Sequence, residues 1–243
     1  MASAEGLQES IVIQGDMKDI SLIGFMGCGK SSVGKELASL LPDCRLIDLD
    51  TYIEEKQGKN IPEIFNEYGE AAFRRMEREA LEEIFSDPDR PRAILSLSGG
   101  TVTSEQCRQL VRQHTDCFYL RATTDTLLSN LEGHSEGRPM LSSVQPARFD
   151  KLSDRPENHT MVAELVVRLG SPTVEAPSTE ASSEREVLRH RIESLMQTRS
   201  PQYIATAHHI IDIDGQTFAQ IAALIKETVN SNSLNIKRQS IHL

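Results

Sequence analysis

The feature that most constrains this chain is Gly24-Phe25-Met26-Gly27-Cys28-Gly29-Lys30-Ser31, which meets the pattern G-x-x-x-x-G-K-[ST] at every fixed position. An apolar run, Ile20-Ser21-Leu22-Ile23, precedes it and reads as a buried strand; a helical pattern over residues 32–41 follows. A phosphate cradle needs that order. Glycines let the backbone wrap an anion with its N–H groups inward, and the helix N-terminus adds positive potential. The candidate nucleotide contacts are therefore Gly27, Cys28, Gly29, Lys30, Ser31 and Ser32. Lys30 is expected to reach the β- and γ-phosphates, and the Ser31 hydroxyl to ligate Mg²⁺. The competing reading is a glycine-rich turn with no ligand. The loop specifies nucleoside-triphosphate binding and leaves the reaction open.

The 243 residues suit one α/β domain with additions, or two small domains. A net charge of −10 without any polybasic run argues against nucleic acid and anionic membrane as partners. No apolar run approaches membrane-spanning length. The four cysteines, Cys28, Cys44, Cys107 and Cys117, show neither C-x-x-C nor zinc spacing, so they read as free thiols in a reducing compartment, hence a cytoplasmic protein. Cys28 reads as a small residue tolerated in the loop, with an oxidisable thiol as the alternative. Residues 1–19 carry no arginine and no hydrophobic segment of the signal-peptide kind, and are expected to form a loose N-terminal arm.

Residues 45–49 read as a second buried strand, with Asp48 and Asp50 at its carboxyl end, where ligands of open α/β sheets bind. Two residues apart on a strand, they would share one site, one near a metal and one near an acceptor hydroxyl. The alternative is that an aspartate, Asp50 rather than Asp48, caps the next helix. Asn60, Pro62 and Glu63 are the start signals of a further helix; Gly69 ends it and another runs over residues 70–85. Arg74 and Glu77 lie three apart on that helix, which by itself suggests a surface ion pair. A third strand over residues 92–97 ends in Ser98-Gly99-Gly100-Thr101, glycines that allow a ligand close to the backbone, or simply a turn. Helix, strand and helix follow over residues 103–113, 116–120 and 124–133, then Arg138-Pro139-Met140-Leu141.

The series GFMGCGKSSVGKELA, LIDLDTYIEE, IPEIFNEYGEAAFRRME, LSLSGGTVTS and GRPML resembles shikimate kinase, in order, over residues 20–141, and a late segment extends the likeness to about residue 229. The resemblance implies a five-stranded parallel sheet flanked by helices, with a mobile lid. It implies transfer of the γ-phosphate of ATP to the 3-hydroxyl of shikimate, with Mg²⁺, in aromatic amino-acid biosynthesis. Separately, the protein is expected to be monomeric. The resemblance makes Lys30 and Ser31 the phosphate and metal residues and Asp48 the metal-side acid. Asp50 becomes the acid on the substrate hydroxyls, Arg74 the carboxylate-binding arginine and Glu77 its orienter. Gly99 and Gly100 become backbone contacts, and Arg138 the lid arginine over the phosphates. Kinases of other polyol acids such as gluconate, or of nucleotides, and a non-catalytic nucleotide-binding relative are the alternatives.

Three departures stand out. Ser98 replaces the first glycine of the family's turn, and Asn130 stands where an arginine near adenine is expected. Residues 142–184 form an insertion after the lid; residues 171–183, rich in Ser, Thr, Pro and Glu, are expected to be disordered. From residue 185 the pattern resumes with a helix over residues 185–198, a strand over 208–213, an amphipathic helix over 217–230 that counts Phe218 on its apolar face, and a polar tail over 231–243. Arg199, followed by Pro201, Tyr203 and Ala207, is expected at a helix end as the second carboxylate-binding arginine. Arg155, with Pro156, Ala163 and His159 in place of tyrosine, is its rival.

Overall fold

The computed structural model describes residues 18–131 and 180–240. Its strands are β1 (Asp19–Ile23), β2 (Arg45–Asp48), β3 (Ala93–Ser96), β4 (Thr115–Arg121) and β5 (His209–Asp212). All pair in parallel, in the order β2-β3-β1-β4-β5. β1 connects outward to β2, whereas β3 connects the other way to β4. The sheet therefore opens a crevice beyond the carboxyl ends of β1 and β3, where ligands settle in such folds.

Helices cover both faces, as buried parallel strands require. On one face α1 (Lys30–Leu40), α5 (Thr124–Leu131), the first part of α6 (Glu180–Thr206) and α7 (Phe218–Ser240) bury Val33, Leu37, Leu127, Leu128, Ile192 and Ile225 against Ile20, Leu22 and Phe118. On the other, α2 (Leu49–Gln57), α3 (Ile61–Ser86) and α4 (Glu105–His114) bury Ile53, Phe73, Leu81 and Val111 against Ile23, Leu95 and Tyr119. No helix among the described residues is long and apolar enough to cross a membrane.

Several local signals act as the sequence predicts. Asn60 accepts from the Glu63 N–H while the Glu63 carboxylate accepts from the Asn60 N–H, a reciprocal cap, both at 2.9 Å. Gly69 breaks α3 at φ 76°, a conformation that glycine alone adopts without steric cost.

Four boundaries differ from expectation. Asp19 belongs to the sheet and not to an arm: it is buried, ion-paired with Arg90, and accepts from the Ala93 N–H at 2.7 Å. The second strand stops at Asp48, so Asp50 lies in the first turn of α2 and the two aspartates do not share a strand face. Asp48, not Asp50, is the cap, accepting from the Thr51 N–H at 3.4 Å. Third, α6 does not end at residue 198 but runs through Pro201 to Thr206, so Arg199 lies inside the helix and not at its end as expected. Pro201 cannot donate to the Gln197 carbonyl. The buried Tyr203 ring, 5.0 Å from that of Tyr119, holds the last turns in place. Fourth, α7 continues to Ser240, well into the expected tail, since no glycine or proline stops it. The disorder expected for residues 171–183 lies outside the described residues up to residue 179, and residues 180–184 of the expected insertion belong to α6.

Candidate active site

At the carboxyl edge of the sheet lies a cavity of about 820 Å³. Among its walls are Gly27, Gly29, Lys30, Ser31, Ser32, Asp48, Asp50, Arg74, Gly99, Gly100 and Arg199, so the described site residues converge there with one exception. Cys28 is not among its walls. Its side chain is buried and its N–H donates within the loop, to the Phe25 carbonyl at 3.2 Å. Arg138 lies outside the described residues, as does Arg155.

The polar groups of the phosphate loop pair with one another and with neighbouring strands. Gly29, at φ 86°, turns the chain into α1. The buried Lys30 ammonium donates to the Gly24 and Phe25 carbonyls at 2.9 and 3.0 Å. The Ser31 hydroxyl donates to Asp48 at 2.6 Å and lies 3.2 Å from the Ser96 hydroxyl. Ser31 and Asp48 thus present hard oxygens side by side. Mg²⁺ is ordinarily held by one or two protein oxygens together with substrate phosphates and water, and this pair fits that habit. Among the described residues no cluster of three or more acidic, histidine or cysteine side chains forms a dedicated metal cage.

Asp50 accepts a hydrogen bond from Ser98, so the departure from glycine at position 98 is an added donor on this carboxylate. Burial pushes the Asp50 carboxyl above its ordinary range. Ser98 opposes the shift, while the neighbouring Asp48 and Glu77 add to it.

Beyond Asp50 the walls become basic. Arg74 donates to Glu77 at 2.6 Å and to Glu70 at 2.9 Å. Glu77 is 0% exposed, and its other oxygen accepts from the Thr101 hydroxyl at 2.6 Å. This is not the surface pair that the spacing alone suggests: a buried carboxylate with both oxygens engaged fixes the guanidinium from behind. The Arg74 Nε–H is buried and has no partner among the described residues. Arg199 is only 5% exposed, donates to the Gly99 carbonyl at 3.4 Å, also engages the Tyr203 hydroxyl, lies 6.0 Å from the Phe25 ring, and has no carboxylate partner among the described residues. The Tyr203 hydroxyl donates to the same carbonyl at 2.5 Å. A buried charge without a counter-ion is expensive, and an anionic ligand offsets that cost.

The two glycines are spatial requirements. A Cβ at Gly99 would meet the Met26 amide nitrogen at 3.2 Å, and one at Gly100 would run into the Arg74 guanidinium. Sequence reasoning missed the roles of Ser96, Thr101 and Phe218. Ser96 closes β3 and Thr101 follows it, at a carboxyl end that the sequence already marks as a strand end. Phe218 follows the turn after β5, so its place at the same sheet edge was a usable signal.

The family model described as shikimate kinase matches residues 26–180 of this chain. The chain belongs to the shikimate kinase family. The shikimate kinase of Chlorobium chlorochromatii is 37% identical over 185 residues, covering 74% of this chain and 93% of that protein. That of Dictyoglomus turgidum is 35% identical over 158 residues, covering 64% and 90%. Among solved structures, shikimate kinase from Acinetobacter baumannii in complex with shikimate aligns with a TM-score of 0.67 at 26% identity, covering 90% of this chain and 96% of that one. The five-stranded parallel sheet is thus that of a shikimate kinase. The family match ends at residue 180, short of Arg199, so the place of Arg199 in the site rests on its geometry in the cavity.

Proposed function

We propose that this cavity transfers the γ-phosphoryl group of ATP to the 3-hydroxyl of shikimate. The observation that carries the reading is the pair of arginines. Arg74 and Arg199 both line the cavity with Gly99 and Gly100; among the described residues one has a buried N–H without a partner and the other has no counter-ion. Together they suit a small carboxylate, because a guanidinium offers planar, directional donors where an ammonium offers a point charge.

The phosphates would lie on the N–H groups of residues 27–32. The Lys30 ammonium would exchange its two carbonyl partners for phosphate oxygens, neutralising charge that develops during transfer. Ser31 and Asp48 would hold Mg²⁺, which when bound supplies further charge neutralisation at the phosphates. Asp50 would orient the acceptor hydroxyl with the oxygen that Ser98 leaves free and accept its proton. Its raised affinity for protons makes it a better base than an exposed aspartate. The acceptor oxygen forms a bond to the γ-phosphorus as the bond from that phosphorus to the bridging oxygen breaks, and ADP leaves. Arg138, on the lid of the family pattern, is assigned to the phosphates on the resemblance alone.

The test is ADP release with shikimate, quinate, gluconate and AMP compared in parallel. Shikimate is expected to be preferred, and Asp50→Asn to lower kcat strongly while leaving nucleotide binding intact. Equal turnover of gluconate, or normal kcat in Asp50→Asn, contradicts the assignment.

A further inference from the structure

Position 98 is where this chain departs from the glycine of the family's turn, and the change puts a hydroxyl into the wall of the cavity beside Asp50 and Gly99. A hydroxyl carries one donor and two acceptor sites. The donor is committed, since Ser98 Oγ–H bonds to Asp50 Oδ1. The acceptor sites are open: among the described residues no donor reaches Ser98 Oγ, and the residue is only partly buried, on the cavity side. The neighbouring acceptors already serve the protein. Asp48 accepts from Ser31 and from the Thr51 N–H, and Glu77 from Arg74 and Thr101. The Gly99 carbonyl accepts from Arg199 and Tyr203, and the Gly100 carbonyl from Thr103. What this wall offers a ligand's donors is therefore Asp50 Oδ2 and Ser98 Oγ, side by side.

Two acceptors separated by the width of one carboxylate suit two hydroxyls on adjacent carbons. A lone hydroxyl would use Asp50 and leave Ser98 Oγ unmet, and an anionic group at this wall would meet the charge of Asp50. We propose that Ser98 is a second acceptor-binding residue of this chain. While the attacking hydroxyl donates to Asp50 Oδ2, the hydroxyl on the neighbouring carbon donates to Ser98 Oγ, so that Ser98 and Asp50 together read a vicinal diol. In shikimate that neighbour is the 4-hydroxyl. The bonds run in one direction, from the 4-hydroxyl to Ser98 and from Ser98 to Asp50, so each polarises the next. Glycine at position 98 has no such oxygen; the contact is a property of this chain and not of the family's turn. The proposal rests on the reading of the cavity as a site of shikimate phosphorylation.

The test compares wild type and Ser98→Ala, each with shikimate and with 4-deoxyshikimate as acceptor, by ADP release. Losing one hydrogen bond is expected to lower kcat/KM for shikimate by about 2- to 13-fold in Ser98→Ala, with KM for ATP unchanged. Wild type is expected to lose a similar factor between shikimate and 4-deoxyshikimate. Ser98→Ala is expected to lose almost nothing between them, because a methyl group accepts no hydrogen bond. If Ser98→Ala slows both acceptors by the same factor, the hydroxyl acts through Asp50 alone and the proposal is overturned. Unchanged kinetics of the variant with shikimate overturns it too, as does equal use of the two acceptors by the wild type, a result that does not depend on the variant folding. A wild type that releases ADP with neither acceptor would overturn the shikimate reading itself, and this proposal with it.

Discussion

Replacing Gly100 by alanine should uncouple the acceptor from the nucleotide. Gly100 has φ −111° and ψ −8°, which alanine tolerates, so the backbone is not the obstacle. The obstacle is Arg74. A Cβ at Gly100 would stand 2.5 Å from Nη1 and closer still to Nη2, whereas ordinary contact begins at 3.4 Å. The guanidinium must retreat by roughly 1 Å, and a displacement of that size at a positioned group costs about 100-fold. It cannot retreat without loosening its bonds to Glu77 and Glu70, so the effect falls on the acceptor end of the cavity. If the arginine swings out altogether, the loss approaches the 2–5 kcal/mol, about 30-fold to a few thousand-fold, of a broken charge pair. Steady-state kinetics with ATP and shikimate varied in turn reads this directly. KM for shikimate should rise by about 100-fold with KM for ATP unchanged, in a protein whose circular dichroism matches wild type. Unchanged kinetics, or equal rises in both KM values, would refute the claim that Gly100 exists to seat Arg74.

Three further outcomes are expected. Lys30→Ala should abolish ADP release while the protein remains folded, because its ammonium serves the loop and its ligand and not the apolar core; full turnover in a folded mutant rules out the mechanism. Arg199→Ala should cost on the order of 2–5 kcal/mol in shikimate binding measured with nucleotide present, and Arg155→Ala next to nothing; the reverse pattern would move the second carboxylate arginine to residue 155. His208 accepts the Cys117 N–H on Nδ1 at 3.0 Å, and burial and Arg112 lower its pKa from the ordinary 6.5. Because the unfolded chain takes up that proton first, stability should fall as pH drops below about 6.5 and level off below the folded pKa. Urea unfolding across that range should show a flatter curve for His208→Asn, which keeps an acceptor that cannot titrate, and identical curves would refute the assignment.

The parts of this protein legible in its sequence are those whose physics is local. The phosphate loop with its strand and helix, the reciprocal cap at Asn60 and the break at Gly69 each depend on residues within a few positions of one another, so spacing and residue type suffice. Arg74 and Glu77 were legible as a pair but not as a buried one. Three residues of helix establish that they meet, whereas Thr101, arriving from the turn after β3, decides that Glu77 is enclosed and that Arg74 faces the cavity. The two aspartates illustrate the same limit: both reach the site, but Asp48 does so as a cap and Asp50 from a helical turn, since the strand ends where the pairing with β3 ends. Tyr203 carries α6 through a proline that local rules treat as a stop, and Phe218 is excluded from the core because the phosphate loop already fills the space beside it. Local propensities act through chain neighbours and can be read in one dimension. Burial, and with it the charge state and direction of each site residue, depends on which distant segment arrives at the same place, which only the packed sheet and its helices decide.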